Sequence, residues 1–367
     1  MTYLFFNTDG QEFYGQVNAW LIGLTIFLQI LLSNFQNTKK SNFLRDALYG
    51  FRPALDAYRV GSGAEKEDHQ VVEPLAEMSA CKYVEVAFGT IPALHVQIFA
   101  ILRANDQKVD ALISILVSAA TIGFTSSMIS YDWDLSPTNR ANNPLFCGYI
   151  PDSALKRAAC FFSMMWLTVS RVLLLSFTCT LLALMDSRWF VYFLCADMFI
   201  FLLYKIVTKD GFYFLNFAGA VRFMVSVLIR VGTKTILNFT LLIHLRHSQE
   251  VGSVPFIGSL FFSLGGSFVA AYLFTSHYEG EVKIDDTILR AVLGSLYAAW
   301  IISATVFVLS IKRKFLATFF NTLTASQFKK QNISTLREDQ DNLKSLVFYS
   351  RPDIYACWGD ELLKAGV

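Results

Sequence analysis

Charge is what this chain has least of. Asp, Glu, Lys and Arg make up 16% of its 367 residues, whereas 54% are hydrophobic. An average soluble domain carries about 25% charged residues, so that class is excluded. The net charge of +2 singles out no partner by itself, and no nucleic-acid partner is expected. Paired cysteines are also missing. The six cysteines, Cys81, Cys147, Cys160, Cys179, Cys195 and Cys357, lie mostly inside apolar segments and form no CxxC pair, which argues against a disulfide framework or a zinc site. His244-x-x-His247 has a spacing that suits a metal, but no acidic or thiolate ligand accompanies it, so neither metal nor cofactor is expected. Walker and dinucleotide loops, GxSxG and HExxH are all absent, and nothing resembles an enzyme active site. No long repeat period signals a solenoid. Residues 1–16 contain Asp9 and Glu12 and no basic n-region, so no cleavable leader is expected. TYLFF reads like the end of an apolar helix begun upstream.

What the chain has in quantity is long apolar runs. Residues 111–130 carry no charge and are long enough to cross a hydrocarbon layer. Similar runs occupy 17–33, 84–102, 158–185, 189–207, 212–245, 256–274 and 288–310. The expected fold is all-α, a polytopic transmembrane helical bundle over residues 1–310. Residues 34–78 form a cytosolic linker within it, and 311–367 a cytosolic tail that opens with a basic amphipathic helix, IKRKFLATFFNTLTASQFKK. The linker contains FLRDALYGFRPALDAYRV, with apolar residues at helical spacing, suited to lying on a membrane face or under the bundle. DWDLSPTNRANNPLFCGYIPD, rich in Pro, Asn and Asp, is expected to be a surface loop, with Asp152 or Ser153 capping the next helix.

The count of crossings meets a conflict. Lys312, Arg313 and Lys314 put the tail in the cytoplasm, and the basic residues of 34–78 put the linker there too. Eight full crossings would separate them. About seven spans are therefore expected, plus one or more segments that enter without crossing. The candidates are 84–102, interrupted by Gly89 and Pro92, and 212–245, where Arg222, Ser226, Arg230, Lys234 and Asn238 recur every four residues on one slowly drifting helical face.

The candidate site residues are the charges at membrane depth: Glu85, Arg171, Asp197, Arg222, Arg230 and Lys234. One reading is a hydrophilic track through the bundle, because ionisable residues at such depth are functional by default. The other is a set of buried ion pairs that hold helices in register. For Arg222, Arg230 and Lys234 a third is snorkelling from a helix lying flat. His95 and Gln97 share the interrupted segment with Glu85, and a lone histidine there is more often a hydrogen-bonded structural residue than a ligand. Ala119, Gly123 and Ser127, with Ser114 and Ser118, give the small-residue spacing that lets helices approach closely. The sequons at Asn238 and Asn332 fall in an apolar helix and in the presumed cytosolic tail, so both are expected to be idle.

EVAFGTIPALHVQIFAIL, residues 85–102, resembles a motif of the XK-related membrane proteins: an acidic residue, a Pro-containing element, then a Gln and an apolar run. The following ISILVSAATIGFTSSMISY resembles that family's next span, and NTDG near the start is similar to an acidic signature by its first helix. The match covers roughly the first two fifths of the chain. It departs from the pattern where Pro92 is followed by Ala93 rather than Gln, and where the first helix is truncated. The resemblance implies a bundle with cytosolic ends, elements that enter the bilayer without crossing, and, as in some members, scrambling of phospholipids between leaflets guided by intramembrane charges. Only Glu85, Pro92 and Gln97 match motif positions. Membrane lipids are the implied partners, with a membrane-protein partner or a second copy as further partners, and the plasma membrane is the expected location. Two alternatives stay open: a small-solute or ion transporter whose midplane site uses the break at Gly89 and Pro92, with Glu85 and His95 carrying a proton, and a non-transporting membrane scaffold.

Overall fold

A computed structural model describes residues 12–36, 52–62, 74–104, 109–137, 140, 147–207, 234, 238–240, 254–278 and 286–312. Every element among them is helical: α1 (Glu12–Gln36), α2 (Arg52–Gly61), α3 (Pro74–Val84), a π-helical turn (Glu85–Thr90), α4 (Ile91–Ala104), α5 (Val109–Leu135), α6 (Ala154–Met185), α7 (Ser187–Val207), α8 (Val254–His277) and α9 (Asp286–Ser310). Five stretches are long and apolar enough to cross a membrane: Glu12–Leu32, Pro74–Arg103, Asp110–Leu135, Ala154–Met185 and Thr287–Ser310. Helices satisfy every backbone group internally, which is what a hydrocarbon layer demands.

The helices are arranged around α6. Within its most apolar window 83% of residues are buried, against 17% in the windows of α1 and α9. The peripheral helices are therefore the ones whose apolar side chains face outward, as Trp20 and Phe27 of α1 and Ile301, Ile302 and Leu309 of α9 do. At Gly123, α5 comes close to α6. A Cβ there would stand 2.5 Å from Val169 Cγ2 and 2.8 Å from the Met165 carbonyl oxygen. Ala119 and Ser127, one turn either side, are buried as well, so this face packs as the small-residue spacing expects.

Two ends of the bundle can be told apart by their contacts. At one end, Phe307 and Ile311 of the α9 terminus pack with Cys160 and Met164 at the start of α6, and with Cys147, Tyr149 and Ile150. At the other, Leu289 and Leu293 of α9 pack with Leu181 and Leu182 of α6 and with Ala270 and Phe274 of α8. Thus α9 runs antiparallel to α6, and α8 parallel to it. Asp186 alone separates α6 from α7: its N–H donates to Leu182 O (3.1 Å) and its Oδ1 accepts from the Arg188 N–H (2.9 Å). The chain thereby turns back, and α7 descends beside α6.

Two expectations are corrected. Gly89 and Pro92 do not break the helix. The chain stays helical from Pro74 to Ala104 and widens to a single π turn, in which the Ile91 N–H donates to Val86 O. Pro92, which has no N–H to donate, follows directly on this π turn, where the helical ladder is already locally rearranged. Gly89 instead serves contact, since a Cβ there would come 2.8 Å from Thr25 Oγ1 of α1. The stretch 132–152 is not simply a surface loop: α5 continues to Leu135, and Cys147, Gly148, Tyr149, Ile150 and Pro151 are buried. Ser153 holds the N-cap position of α6 without a side-chain capping bond. The helix expected around FRPALDAYRV is α2, tied to the foot of α3 by Arg59 Nη1 and the buried Glu77 carboxylate at 3.3 Å. Arg222, Arg230, His244, His247, the sequon at Asn332 and residues 313–367 lie outside the described residues.

Candidate functional site

The most concentrated buried polarity lies near the middle of α6 and α7. Apolar helices bring it there by periodicity: Arg171 sits on a buried face of α6 and Asp197 on the inward face of α7, both near mid-helix. Their exposures are 4% and 6%. Neither is tolerable at that depth without partners. Lys234 and Asn238 supply them. Lys234 Nζ lies 3.1 Å from Asp197 Oδ2 and 3.2 Å from Oδ1, and donates to Asn238 Oδ1 at 2.7 Å. Asn238 Nδ2 donates to Asp197 Oδ2. Arg171 Nε donates to the Asn238 carbonyl oxygen at 2.6 Å. The Lys234 ammonium also stands over the Phe201 ring, 5.5 Å from its centroid.

His95 joins this centre from α4. Its ring meets Phe239, the neighbour of Asn238, edge-on at 5.0 Å, and its Nδ1 donates to the Ile91 carbonyl at 2.8 Å. On the same helix Gln97, buried to 4% exposure, accepts from Ser118 Oγ of α5 at 3.1 Å. Of the residues singled out in the sequence, Arg171, Asp197 and Lys234 are thus brought together, His95 adjoins them, and Gln97 cross-links α4 to α5. Glu85 stands apart in the π turn, where the cation acting on it is Lys82. Asn238 mattered in the sequence only as a step in a polar face and a sequon, yet its amide is the centre's connecting group. Its i, i+4 spacing from Lys234 was the available signal. Phe201 gave no signal beyond apolarity.

A second polar cluster closes the end of the bundle, and sequence reasoning missed it. Asp134, fully buried at the end of α5, accepts the backbone N–H groups of Gly148 (2.6 Å), Tyr149 (3.2 Å) and Ile150 (3.1 Å). Gly148 makes the tight wrap possible with φ +91°, a conformation that favours glycine. Arg140 donates to Asp134 through Nη2 (3.4 Å) and to its carbonyl through Nε (2.6 Å). The same loop holds the end of α9: the Lys312 N–H donates to Tyr149 O at 3.1 Å, and Lys312 Nζ pairs with Asp152 at 3.0 Å. The Lys312 hydrogen bond and charge hold the exposed Asp152 carboxyl below the usual carboxylate range. Burial, with Asp134 adding to it, pushes the Tyr149 phenol well above its ordinary value.

Chemically, the centre joins two cationic donors, an ammonium and a guanidinium, to a carboxylate that accepts and an amide that does both. Among the described residues no three His, Cys, Asp or Glu are grouped as metal ligands would be. No family model, curated protein or solved structure matches the chain.

Proposed function

We propose that this chain is a multi-pass membrane protein of XK-related type. In this reading it lets phospholipid headgroups pass between leaflets without a cofactor, with Arg171, Asp197, Lys234 and Asn238 forming the mid-depth station. The observation that carries the reading is the station's position. It is buried between α6, the central helix, and α7, whose opposite face exposes Tyr192 and Phe199. One helix thickness therefore separates buried charge from apolar surface suited to lipid. A path there would let acyl chains stay in hydrocarbon while a headgroup exchanges partners with fixed charges, lowering the cost of crossing.

The topology we favour has seven crossings, with α7 and α8 added to the five stretches already named. The antiparallel run of α7 and the parallel run of α8 bring Val207 and Val254 towards the same end of the bundle. With both helix ends on that side, the count assigns no crossing to the chain between them. That removes one crossing and puts the linker and the tail on the same side, which the basic residues mark as cytoplasmic. The plasma membrane is the location proposed with this reading.

The test is dithionite quenching of fluorescent lipids in liposomes that contain the purified protein. Quenching well beyond half of the signal is expected, and Asp197→Asn should slow it. Quenching that stops at half, as in lipid-only vesicles, would remove the reading. One observation favours a second reading, a non-transporting scaffold: both Asp197 oxygens are already engaged by Lys234 and Asn238, as a purely structural pair would be. A solute path on a broken helix has less support, since the helix continues through Gly89 and Pro92.

A further inference from the structure

We infer that the mid-depth centre is selective for zwitterionic groups, an ammonium and a phosphate on one short linker, over groups carrying a single charge. The inference rests on the headgroup-station reading and names what that station takes. Its starting point is that Asp197 and Lys234 neutralise each other in a desolvated site, 3.1 Å apart and 6% and 5% exposed.

An entering group must displace one partner from the other. A lone phosphate takes Lys234 and leaves Asp197 as a buried carboxylate without its paired cation, because Arg171, the other cation of the centre, is held through Nε by the Asn238 carbonyl oxygen. A lone ammonium does the reverse. Either outcome strands a charge in a low-dielectric site, which is the costly way to break a buried pair. A zwitterion exchanges both halves at once: its phosphate meets Lys234, its ammonium meets Asp197, and the number of buried ion pairs does not fall.

Two neighbours suit that exchange. Asn238 donates through Nδ2 to Asp197 and accepts through Oδ1 from Lys234, and an amide of this kind can serve an anion and a cation in one orientation. Phe201 already has a cation over its ring, and an aromatic face is a suitable seat for a quaternary ammonium. The chemistry is shared by lipid headgroups and free phosphodiester zwitterions.

The experiment uses the full-length protein in liposomes, with acyl-chain-labelled phosphatidylcholine, phosphatidylethanolamine and phosphatidylglycerol as separate tracers, each followed by dithionite quenching. The two zwitterionic tracers should cross about ten-fold faster than the anionic one, or more, given the cost of a stranded charge. Asp197→Asn should shrink or reverse that gap, because Lys234 can then receive a phosphate without stranding a carboxylate. Joint exchange of the pair, Asp197→Lys with Lys234→Asp, should keep it. The wild-type ratio needs no variant to fold. Equal wild-type rates for all three tracers overturn the inference while leaving lipid passage standing. If no tracer crosses, the headgroup reading falls, and calorimetry with glycerophosphocholine and glycerol phosphate decides the rest. Binding of the zwitterion alone supports a solute site of the same selectivity; equal binding of both, or of neither, overturns it.

Discussion

Asp134 and Asp197 are both buried carboxylates on apolar helices, and they are held in opposite ways. Asp134 is wrapped by backbone N–H groups from a loop that follows it closely in sequence, with an arginine from the same region. Asp197 is held by the side chains of Lys234 and Asn238, from a part of the chain 37 and 41 residues away. Backbone donors cannot swing aside without refolding the loop, whereas an ammonium and an amide can change partners by rotating a few bonds. Burial alone therefore does not distinguish the two carboxylates, but the kind of donor does: Asp134 is held by backbone N–H groups at the end of the bundle, and Asp197 by side chains.

The sharpest way to break this contrast is to remove the Asp134 carboxylate. Asp134→Ala leaves three buried N–H groups and Arg140 without their acceptor, and should lower stability by about 3–5 kcal/mol. Thermal unfolding in detergent would read it, and an unchanged midpoint would mean the loop is not held as described. Next in size is Asp197→Asn, which keeps the shape but leaves the Lys234 ammonium facing an amide. A loss of about 3 kcal/mol is expected, at the low end for a broken buried pair because the ammonium keeps the Asn238 amide oxygen, and so smaller than at Asp134, together with slower lipid passage. If both carboxylates cost the same, the distinction between backbone and side-chain donors fails.

A third test separates stability from function within one site. Replacing the pair outright, Asp197→Leu with Lys234→Met, should leave the unfolding midpoint within about 1 kcal/mol of wild type, since apolar replacements of buried pairs are often neutral. It should nevertheless abolish lipid passage. Retained passage would assign the pair to the scaffold reading. The smallest effect is at Asp152. Its carboxyl titrates below the usual range because of Lys312, so the pair's contribution is complete above the ordinary carboxylate pKa of about 3.9. It disappears as pH falls through the lowered value. Wild type and Asp152→Asn should differ slightly at pH 6 and converge below that value; a gap that widens with acid would reverse the sign.

Hydropathy made the helices legible. The runs at 111–130, 158–185 and 288–310 fall inside α5, α6 and α9, because an apolar run of that length has few alternatives in lipid. It also exposed Arg171, Asp197 and Lys234, since a charge in such a run is conspicuous. What it could not show was their meeting, which depends on α7 turning back at Asp186 and on Asn238 bridging two charges. Asp134 stayed hidden for a different reason. Its partners are peptide N–H groups, which every residue but proline carries and no sequence pattern advertises. The π turn was likewise invisible: Gly89 and Pro92 suggested an interruption, and contact with Thr25 decided otherwise.

The central position of α6 has a consequence for the order in which the protein is made. This helix carries Arg171 and a row of buried hydroxyls, including Thr168, Ser170, Thr178 and Thr180, and its most extensive partner among the described helices is α9. Yet α9 begins at Asp286, about a hundred residues after α6 ends. During synthesis this central helix therefore enters the bilayer well before the helix that covers it most. Until Asp286–Ser310 emerges, the side of α6 that it covers has only lipid or an assisting protein for company, so the centre of the bundle is completed late.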